Sequence, residues 1–391
     1  MMDPIYFDHN ATTPIHPDVF EAMAPYLARH YGNPSCVYSL GVECSYAIEK
    51  ARLQLAGLIH AEEDEMVFTG CGTESDNLAV KGAVYASGKK HVITSIIEHP
   101  AIRKTCEFLE KYWGGSITYL PVDREGFVDP AEVEQAITPA TAVVSIMLAN
   151  NEVGSLEPIR EIAEITQRRG VLFHTDAIQA VGRIPVDVRE LGVDLLSISG
   201  HKLNGPKGVG ALFIRKGVEL VPIMNGGGQE SGRRGGTENV SGIVGLGKAA
   251  ALAKKEMSER MEKSARLRDR LWEKLQALPW GITRNSPQDA VLPGTLNVTI
   301  PDINGRELVR LMADENVCIS SGSACASGKT TPSHVILALG RTKEEAIASI
   351  RLSLGSGNTD DEVDRFVEIL EQVHERARLS AASAPKGALS S

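Results

Sequence analysis

The chain lacks the features that define several large classes of protein. Over 391 residues it has no excess of positive charge: 41 Lys and Arg stand against 50 Asp and Glu, for a net charge of −9. Nucleic-acid binding depends on clustered cations that neutralise phosphates, so a polyanion partner is set aside. No segment contains the ~18 consecutive apolar residues needed to cross a bilayer, and no membrane association is expected. The opening stretch MMDPIYFDHNATTP has neither a basic leader nor an apolar run, which leads to the expectation of a cytoplasmic protein. Cysteines are few. The six (Cys36, Cys44, Cys71, Cys106, Cys318, Cys325) are scattered and none stand in C-x-x-C spacing, which argues against a disulfide framework. In a reducing compartment they are free thiols, and most of them, Cys318 included, read as small core residues. No internal repeat is visible.

What is present is an ordinary globular composition, 42% apolar and 23% charged, in a chain long enough for one large domain and a smaller one. From about Met66 to Phe213 short β-rich runs alternate with amphipathic helical runs. EMVFTG leads into TESDNLAVKGAVY, HVITSII into HPAIRKTCEFLEKY and AVVSIMLAN into EPIREIAEITQRRG; VLFHTD, DLLSISG and VGALFI follow. Such alternation implies an α/β fold with a largely parallel sheet covered on both faces. Ligands of such sheets sit at the carboxyl ends of the strands. Thr73, His99, Asn151, Asp176 and the group Ser199-Gly200-His201-Lys202 stand there. A helical segment from about Ser241 to Leu278 then leads to TLNVTI, GRELVRLMADEN, VCISS, SIRLSLG and DEVDRFVEILEQVHERA, a smaller α+β unit. The terminal SAASAPKGALSS is small and polar and is expected to be disordered.

Each candidate motif has a plain reading beside a chemical one. Lys202 in SGHKLNGPKG is a solvated lysine after a strand, or a desolvated amine able to form a Schiff base. GCGTESDN is a helix capped by Thr73 or Ser75, or a phosphate cradle in which Gly72 admits the ligand and the helix N-terminus and Thr73 hold it. Asp176 in HTDAIQA is paired with an Arg or a backbone cap, or faces a cationic ring nitrogen. His99, just before Pro100, opens a helix as a loop residue, or stacks on a flat aromatic ligand and shuttles protons. Arg351 in IRLSLG is held by an internal carboxylate or by that of a substrate. Together, a cradle, a Schiff-base lysine, an aspartate and a stacking histidine meet the requirements for pyridoxal phosphate.

These motifs resemble a known family. FDHNATTP, GNPS, GTESDN, EHPA, NNEVG, HTDAIQAVG, SGHKLNGPKG, GGGQESGRRGGTEN and SSGSACASG occur in one order over nearly the whole chain. In this the sequence is similar to the class V branch of fold-type I pyridoxal-phosphate enzymes, and within it to cysteine desulfurases of the nitrogen-fixation and iron–sulfur-cluster type. The resemblance implies a large cofactor-binding domain, residues 16–258, around a mostly parallel seven-stranded sheet. Residues 1–15 and 259–379 would form the small α+β domain, and 380–391 a disordered tail. It implies pyridoxal 5'-phosphate joined to Lys202, with Asp176 at the pyridine nitrogen, Gln179 at the ring hydroxyl and His99 over the ring. Gly72, Thr73, Ser199 and His201 would hold the phosphate, joined by Thr237 from the other subunit of a homodimer. Arg351 and Asn151 would orient the carboxylate of L-cysteine.

The same resemblance gives Cys325 its role. As a thiolate it would take sulfur from L-cysteine, leaving L-alanine and a persulfide, and pass the sulfur to an iron–sulfur scaffold protein, whose cluster it would contact; no metal site is expected within the chain. The small residues of SSGSACASG suit a mobile tether for such a nucleophile. Other readings remain: a linker containing a cysteine, a selenocysteine lyase or aminotransferase of the same fold, or an inactive partner-binding scaffold. Lys329-Thr330-Thr331, where many relatives carry a hydrophobic and an acidic residue, and Asn204, where an aromatic or His is common, depart from the family pattern and bear on the partner.

Overall fold

The structure, a computed structural model, describes residues 3–321 and 331–383. The strands in chain order are β1 (Ile5–Tyr6), β2 (Met66–Thr69), β3 (His91–Ser95), β4 (Ser116–Leu120), β5 (Thr141–Ser145), β6 (Leu172–Asp176), β7 (Leu195–Ser199), β8 (Gly210–Ile214), β9 (Thr283–Arg284), β10 (Thr295–Thr299), β11 (Val317–Cys318) and β12 (Ser349–Ser353). The helices are α1 (Pro17–Ala28), α2 (Ser39–Ile59), α3 (Gly72–Ser87), α4 (Pro100–Trp113), α5 (Pro130–Ala136), α6 (Ile159–Arg169), α7 (Val188–Leu191), α8 (Val240–Gln276), α9 (Gly305–Asp314), α10 (His334–Ala338), α11 (Lys343–Ile347) and α12 (Asp360–Ser383).

Runs such as HVITS, TAVVS and LLSIS are buried along their whole length. Residues without a polar face stay in strands only where both faces of the sheet are covered. They lie in a seven-stranded sheet of order β2-β8-β7-β6-β5-β3-β4. Every pairing in it is parallel except those of β8, which runs against both β2 and β7. The reversal of β8 follows from its short connection to β7, since a parallel return needs a crossover of a dozen residues or more. The turn in that connection is closed by Gly200 N–H donating to the Val209 carbonyl at 3.0 Å and Gly205 N–H to the Gly200 carbonyl at 3.0 Å. This connection carries Lys202.

Two apolar cores flank the site. The larger joins Phe68, Ile93, Val144, Phe173, Leu196 and Phe213 of the sheet to Leu246, Ala249 and Ala250 of α8. The second joins Phe7, Leu296, Ile350, Leu352 and Phe366 to Leu267, Leu271 and Leu275, further along the same helix. α8 therefore belongs to both cores and fixes one against the other. Truncating a buried aromatic such as Phe366 to Ala would cost roughly 3–5 kcal/mol. In the second core β10 pairs antiparallel with β12 and β9, and β1 pairs parallel with β11. From β1 the chain crosses to the end of the large sheet, where Thr13 N–H donates to the His201 carbonyl at 2.9 Å. α12 continues to Ser383, into the segment expected to be disordered; the remainder of that segment lies outside the described residues.

Candidate active site

A cavity of about 270 Å³ opens at the carboxyl ends of the central strands, where an α/β sheet places its ligands. Gly72, Thr73, His99, Asn151, Asp176, Gln179, Ser199, His201 and Lys202 all line it, together with Ala11, Cys71, Met147, Ala149 and Ile178. The nine named first were singled out in the sequence.

Asp176 ends β6. Its Oδ1 accepts the Ile178 N–H at 2.9 Å, and burial lifts its carboxyl to about 6, opposed by that N–H and by Lys202. Behind it lies Asp76 of α3, fully buried, with Oδ1 3.8 Å from His174 Nε2. Burial, then the nearby Asp176 charge, holds Asp76 well above the carboxylate range, so Asp76 stays neutral and Asp176 is the group free to ionise. Gln179 donates through Nε2 to the Asn10 carbonyl at 3.0 Å, whereas its buried Oε1 has no partner among the described residues. A buried acceptor left unpaired costs roughly 1–3 kcal/mol, so this atom is set for a donor brought by a ligand.

Lys202 lies in the turn after β7. Its Nζ donates to the carbonyls of Asn10 and Ala11 at 2.5 and 2.8 Å. Burial, followed by Arg183 and Arg351, brings the amine down to about 7, so much of it is uncharged near neutral pH and able to act as a nucleophile. His99 is the N-cap of α4, with Pro100 at the first helical position. Its Nδ1 accepts the Ala101 N–H at 3.1 Å, which leaves the ring proton on Nε2. Burial, then Lys202 and His334, lowers it to about 4, so the ring is neutral.

The other end of the cavity suits an anion. α3 begins with Cys71 as its N-cap and no side chain caps it, so the plain reading of a helix capped by Thr73 or Ser75 does not hold. Ser75 instead faces inward, its Oγ donating to the Ala211 carbonyl at 3.0 Å. The first N–H groups of α3, with their positive dipole end, therefore face the cavity. A Cβ on Gly72 would collide with the Ile178 side chain and lie 3.2 Å from Ser199 Cβ, so only glycine lets the helix start this close to the strand ends. His201, beside Ser199, has its Nδ1 3.1 Å from Thr12 Oγ1 and is lowered to about 4 by burial and then by Lys202, Lys207 and Arg183.

Three expected residues stand apart from this lining. Arg351 of β12 is buried and reaches the site through the Asn151 carbonyl, to which Nη1 donates at 2.9 Å; its Nη2 meets Asp8 Oδ1 at 2.6 Å. Thr237 is exposed and is not among the residues lining this cavity. Cys325 lies outside the described residues, but both flanks of its segment end at the site. Ser320 pairs its backbone with Arg351, Ser333 Oγ donates to Glu152 Oε2 at 2.5 Å, and His334 Nε2 is 3.2 Å from the carbonyl of Glu98, the neighbour of His99.

The structure adds residues that sequence reasoning passed over. Asn10 accepts from Lys202 and Gln179 through its carbonyl, and its Oδ1 accepts from Arg183 Nη1 at 2.5 Å. Glu98 is fully buried and held neutral by burial, with Oε1 accepting from Ser95 Oγ and Met147 N–H. Cys71 is exposed and lines the cavity, because the N-cap of a helix at a sheet end lies at the surface; Cys318, expected as core, is only partly buried. The signal for Asn10 was its place in the FDHNATTP motif, with no pairing readable from the sequence.

An α/β sheet whose strand ends combine a lysine of lowered basicity, a buried carboxylate and an open helix N-terminus defines an enzyme site with a nucleophilic amine and an end suited to an anion. The family model described as Aminotransferase class-V matches residues 5–366, and the chain belongs to that family. It is 47% identical over 384 residues to the cysteine desulfurase IscS of Methanosarcina thermophila, covering 98% of this chain and 95% of that protein. Among solved structures it is similar to a NifS-like protein, with a TM-score of 0.90 and 37% identity over 95% of this chain and 100% of that one. It is also similar to SspA in complex with cysteine, with a TM-score of 0.80 and 39% identity over 91% and 100% of the two chains. The fold is that of the NifS-like enzymes, as the motifs implied.

Proposed function

We propose that this chain is a cysteine desulfurase that uses pyridoxal 5'-phosphate to remove sulfur from L-cysteine, releases L-alanine and carries the sulfur as a persulfide on Cys325. The relatives named cysteine desulfurase support the reaction class, and the neighbour solved with cysteine supports the substrate. The carrying observation is the unpaired Gln179 Oε1 in a cavity that also presents Lys202, Asp176, His99 and the start of α3. These residues fit the cofactor: the aldehyde falls to Lys202, the pyridine nitrogen to Asp176, the ring hydroxyl to Gln179, and the phosphate to Gly72, Thr73, Ser199 and His201. Bound there, the cofactor would withdraw electrons from the substrate α-carbon and so weaken its bonds.

The protein's own groups then have defined tasks. Lys202 Nζ, released from the Asn10 and Ala11 carbonyls, accepts the α-proton, which its lowered basicity permits it to return. Asp176, with Asp76 kept neutral behind it, holds a proton on the ring nitrogen. The His99 ring lines the cavity, and its Nε2 carries a proton that can be offered to a reacting group. Arg351 and Asn151 fix the substrate carboxylate. Cys325 Sγ attacks the substrate sulfur, forming an S–S bond as the Cβ–S bond breaks; its thiolate is supported by the cations around Lys202.

We assign the working state to a homodimer in which Thr237 completes the other protomer's phosphate site. The exposed apolar residues Tyr31, Val37 and Tyr46, 74%, 95% and 74% accessible, support such a contact, as does the exposure of Thr237 itself. The acceptor would be an iron–sulfur scaffold protein in the cytoplasm. The test is alanine formation from L-cysteine with a thiol reductant, comparing the wild type with Cys325→Ala at equal cofactor occupancy. The wild type should form alanine and the variant should not; equal rates would rule out Cys325 as the nucleophile, and none in either would rule out the substrate.

A further inference from the structure

Three basic side chains converge beside the cavity with unequal partners. Arg183 is partly buried and donates to uncharged oxygens: Asn10 Oδ1 at 2.5 Å, the His9 carbonyl at 2.7 Å and the Lys202 carbonyl at 3.4 Å. Lys202 likewise donates to carbonyls. Among the described residues Arg351 alone of the three has a carboxylate in direct contact, Asp8 at 2.6 Å, on the same guanidinium that donates to the Asn151 carbonyl. Its Nε is buried and has no partner among the described residues.

The two members of this pair differ in their access to water. The Asp8 side chain is 19% accessible and the Arg351 side chain 6%. A released Asp8 can be hydrated where it stands. A released Arg351 cannot, and an unpaired buried guanidinium is strongly unfavourable. Arg351 must therefore always hold an anion, whereas Asp8 can leave whenever another anion takes its place. Asp8 is also well placed to wait: its own carbonyl accepts the Ala11 N–H at 3.0 Å and the Tyr6 hydroxyl at 3.1 Å, so the backbone turn keeps the carboxylate at the mouth of the pair.

We infer that Asp8 is an internal competitor for the substrate carboxylate: it neutralises Arg351 in the substrate-free site, and the incoming amino acid displaces it from Nη2. This rests on the proposed role of Arg351 toward the substrate. Displacement subtracts from substrate affinity, because the new pair replaces an existing one instead of adding to an empty site. Asp8 is thus a specificity-determining residue: only a ligand whose carboxylate pairs better than Asp8, with further contacts at the amine, will enter. Simple carboxylic acids are rejected and α-amino acids admitted.

The test uses the cofactor-loaded protein and L-alanine, the product, which has no sulfur to lose, titrated by the change in cofactor absorbance, alongside KM and kcat for L-cysteine. Asp8→Asn keeps the shape and an acceptor for Nη2 but removes the charge. The expected result is L-alanine binding tightened on the order of tenfold and KM lowered by a similar factor while kcat does not rise. Weaker or unchanged binding in a folded Asp8→Asn would overturn the inference, since a structural role lowers affinity and never raises it. If Asp8→Asn does not fold, Asp8→Ser carries the same expectation; if neither folds, Asp8 is needed for the fold and the inference fails. Arg351→Ala separates the two ideas. Should it leave L-alanine binding intact, the substrate role of Arg351 falls and takes the inference with it. Should it weaken binding while Asp8→Asn fails to tighten it, only the competitor role of Asp8 is lost.

Discussion

The sheet wall of the cavity and the polar cluster beside it are made in different ways. The wall is the end of the large sheet, where Asp176, Ser199 and Lys202 follow directly from buried strands and Thr73 and His99 open helices. The cluster is assembled from distant parts of the chain: Asp8 meets Arg351 across 343 positions, and Asn10 meets Thr295 across 285. The side chains of the sheet wall are held by elements packed into the core. The cluster is a set of exchangeable polar contacts, anchored by short strands such as β1 and β11. Chemistry that must not move sits on the first, and groups that must meet and release substrate sit on the second.

Breaking the sheet wall should have the largest effect. Lys202→Ala should lower alanine formation by ~10⁴-fold or more, and borohydride reduction should no longer fix the cofactor to the protein. Normal turnover in that variant would refute the assignment. Gly72→Ala should act at the cofactor's anionic end: the added methyl collides with Ile178, and cofactor affinity should fall by roughly 10- to 100-fold, measured by reconstitution of the cofactor-free protein. Unchanged affinity would mean that the start of α3 does not form the cradle.

The smallest effect sharpens the contrast, because Glu157 is a buried carboxyl that lies outside the cavity lining. It accepts from Val128 N–H at 2.9 Å and Ser155 Oγ at 3.3 Å, and burial lifts it to about 8. The folded chain therefore binds this proton more tightly than the unfolded one, and the stability Glu157 contributes at low pH is lost as pH rises from ~4.5 through about 8. Glu157→Gln should remove that slope, so its thermal midpoint gains on the wild type across the window while alanine formation is unaffected. A parallel pH dependence in both proteins would contradict the burial argument.

The same contrast governs what could be read in advance. Strands β2, β3, β5, β6, β7 and β8 were legible because burial on both faces demands unbroken β-branched and aliphatic runs. The two-residue strands β1 and β9 were not, since two residues carry no periodicity. The start of α3 was left between two readings because Thr73 and Ser75 are good capping residue types; Ser75 turns to Ala211 and Thr73 to the cavity. Arg351 was seen to need a carboxylate; that it is Asp8 depends on bringing β1 beside β12, which nothing local encodes. Asp76 and Glu98 were missed because one helix position or one loop residue looks solvated until the packing around it is known.

In the proposed reaction sulfur leaves L-cysteine onto Cys325. The direct measurement is mass spectrometry of the loaded enzyme after L-cysteine is added without reductant, with each cysteine-containing peptide resolved. The expected result is one added sulfur atom on the peptide bearing Cys325, together with alanine. Alanine formed with the added sulfur on Cys71 at the cavity mouth, or on Cys318, would contradict it.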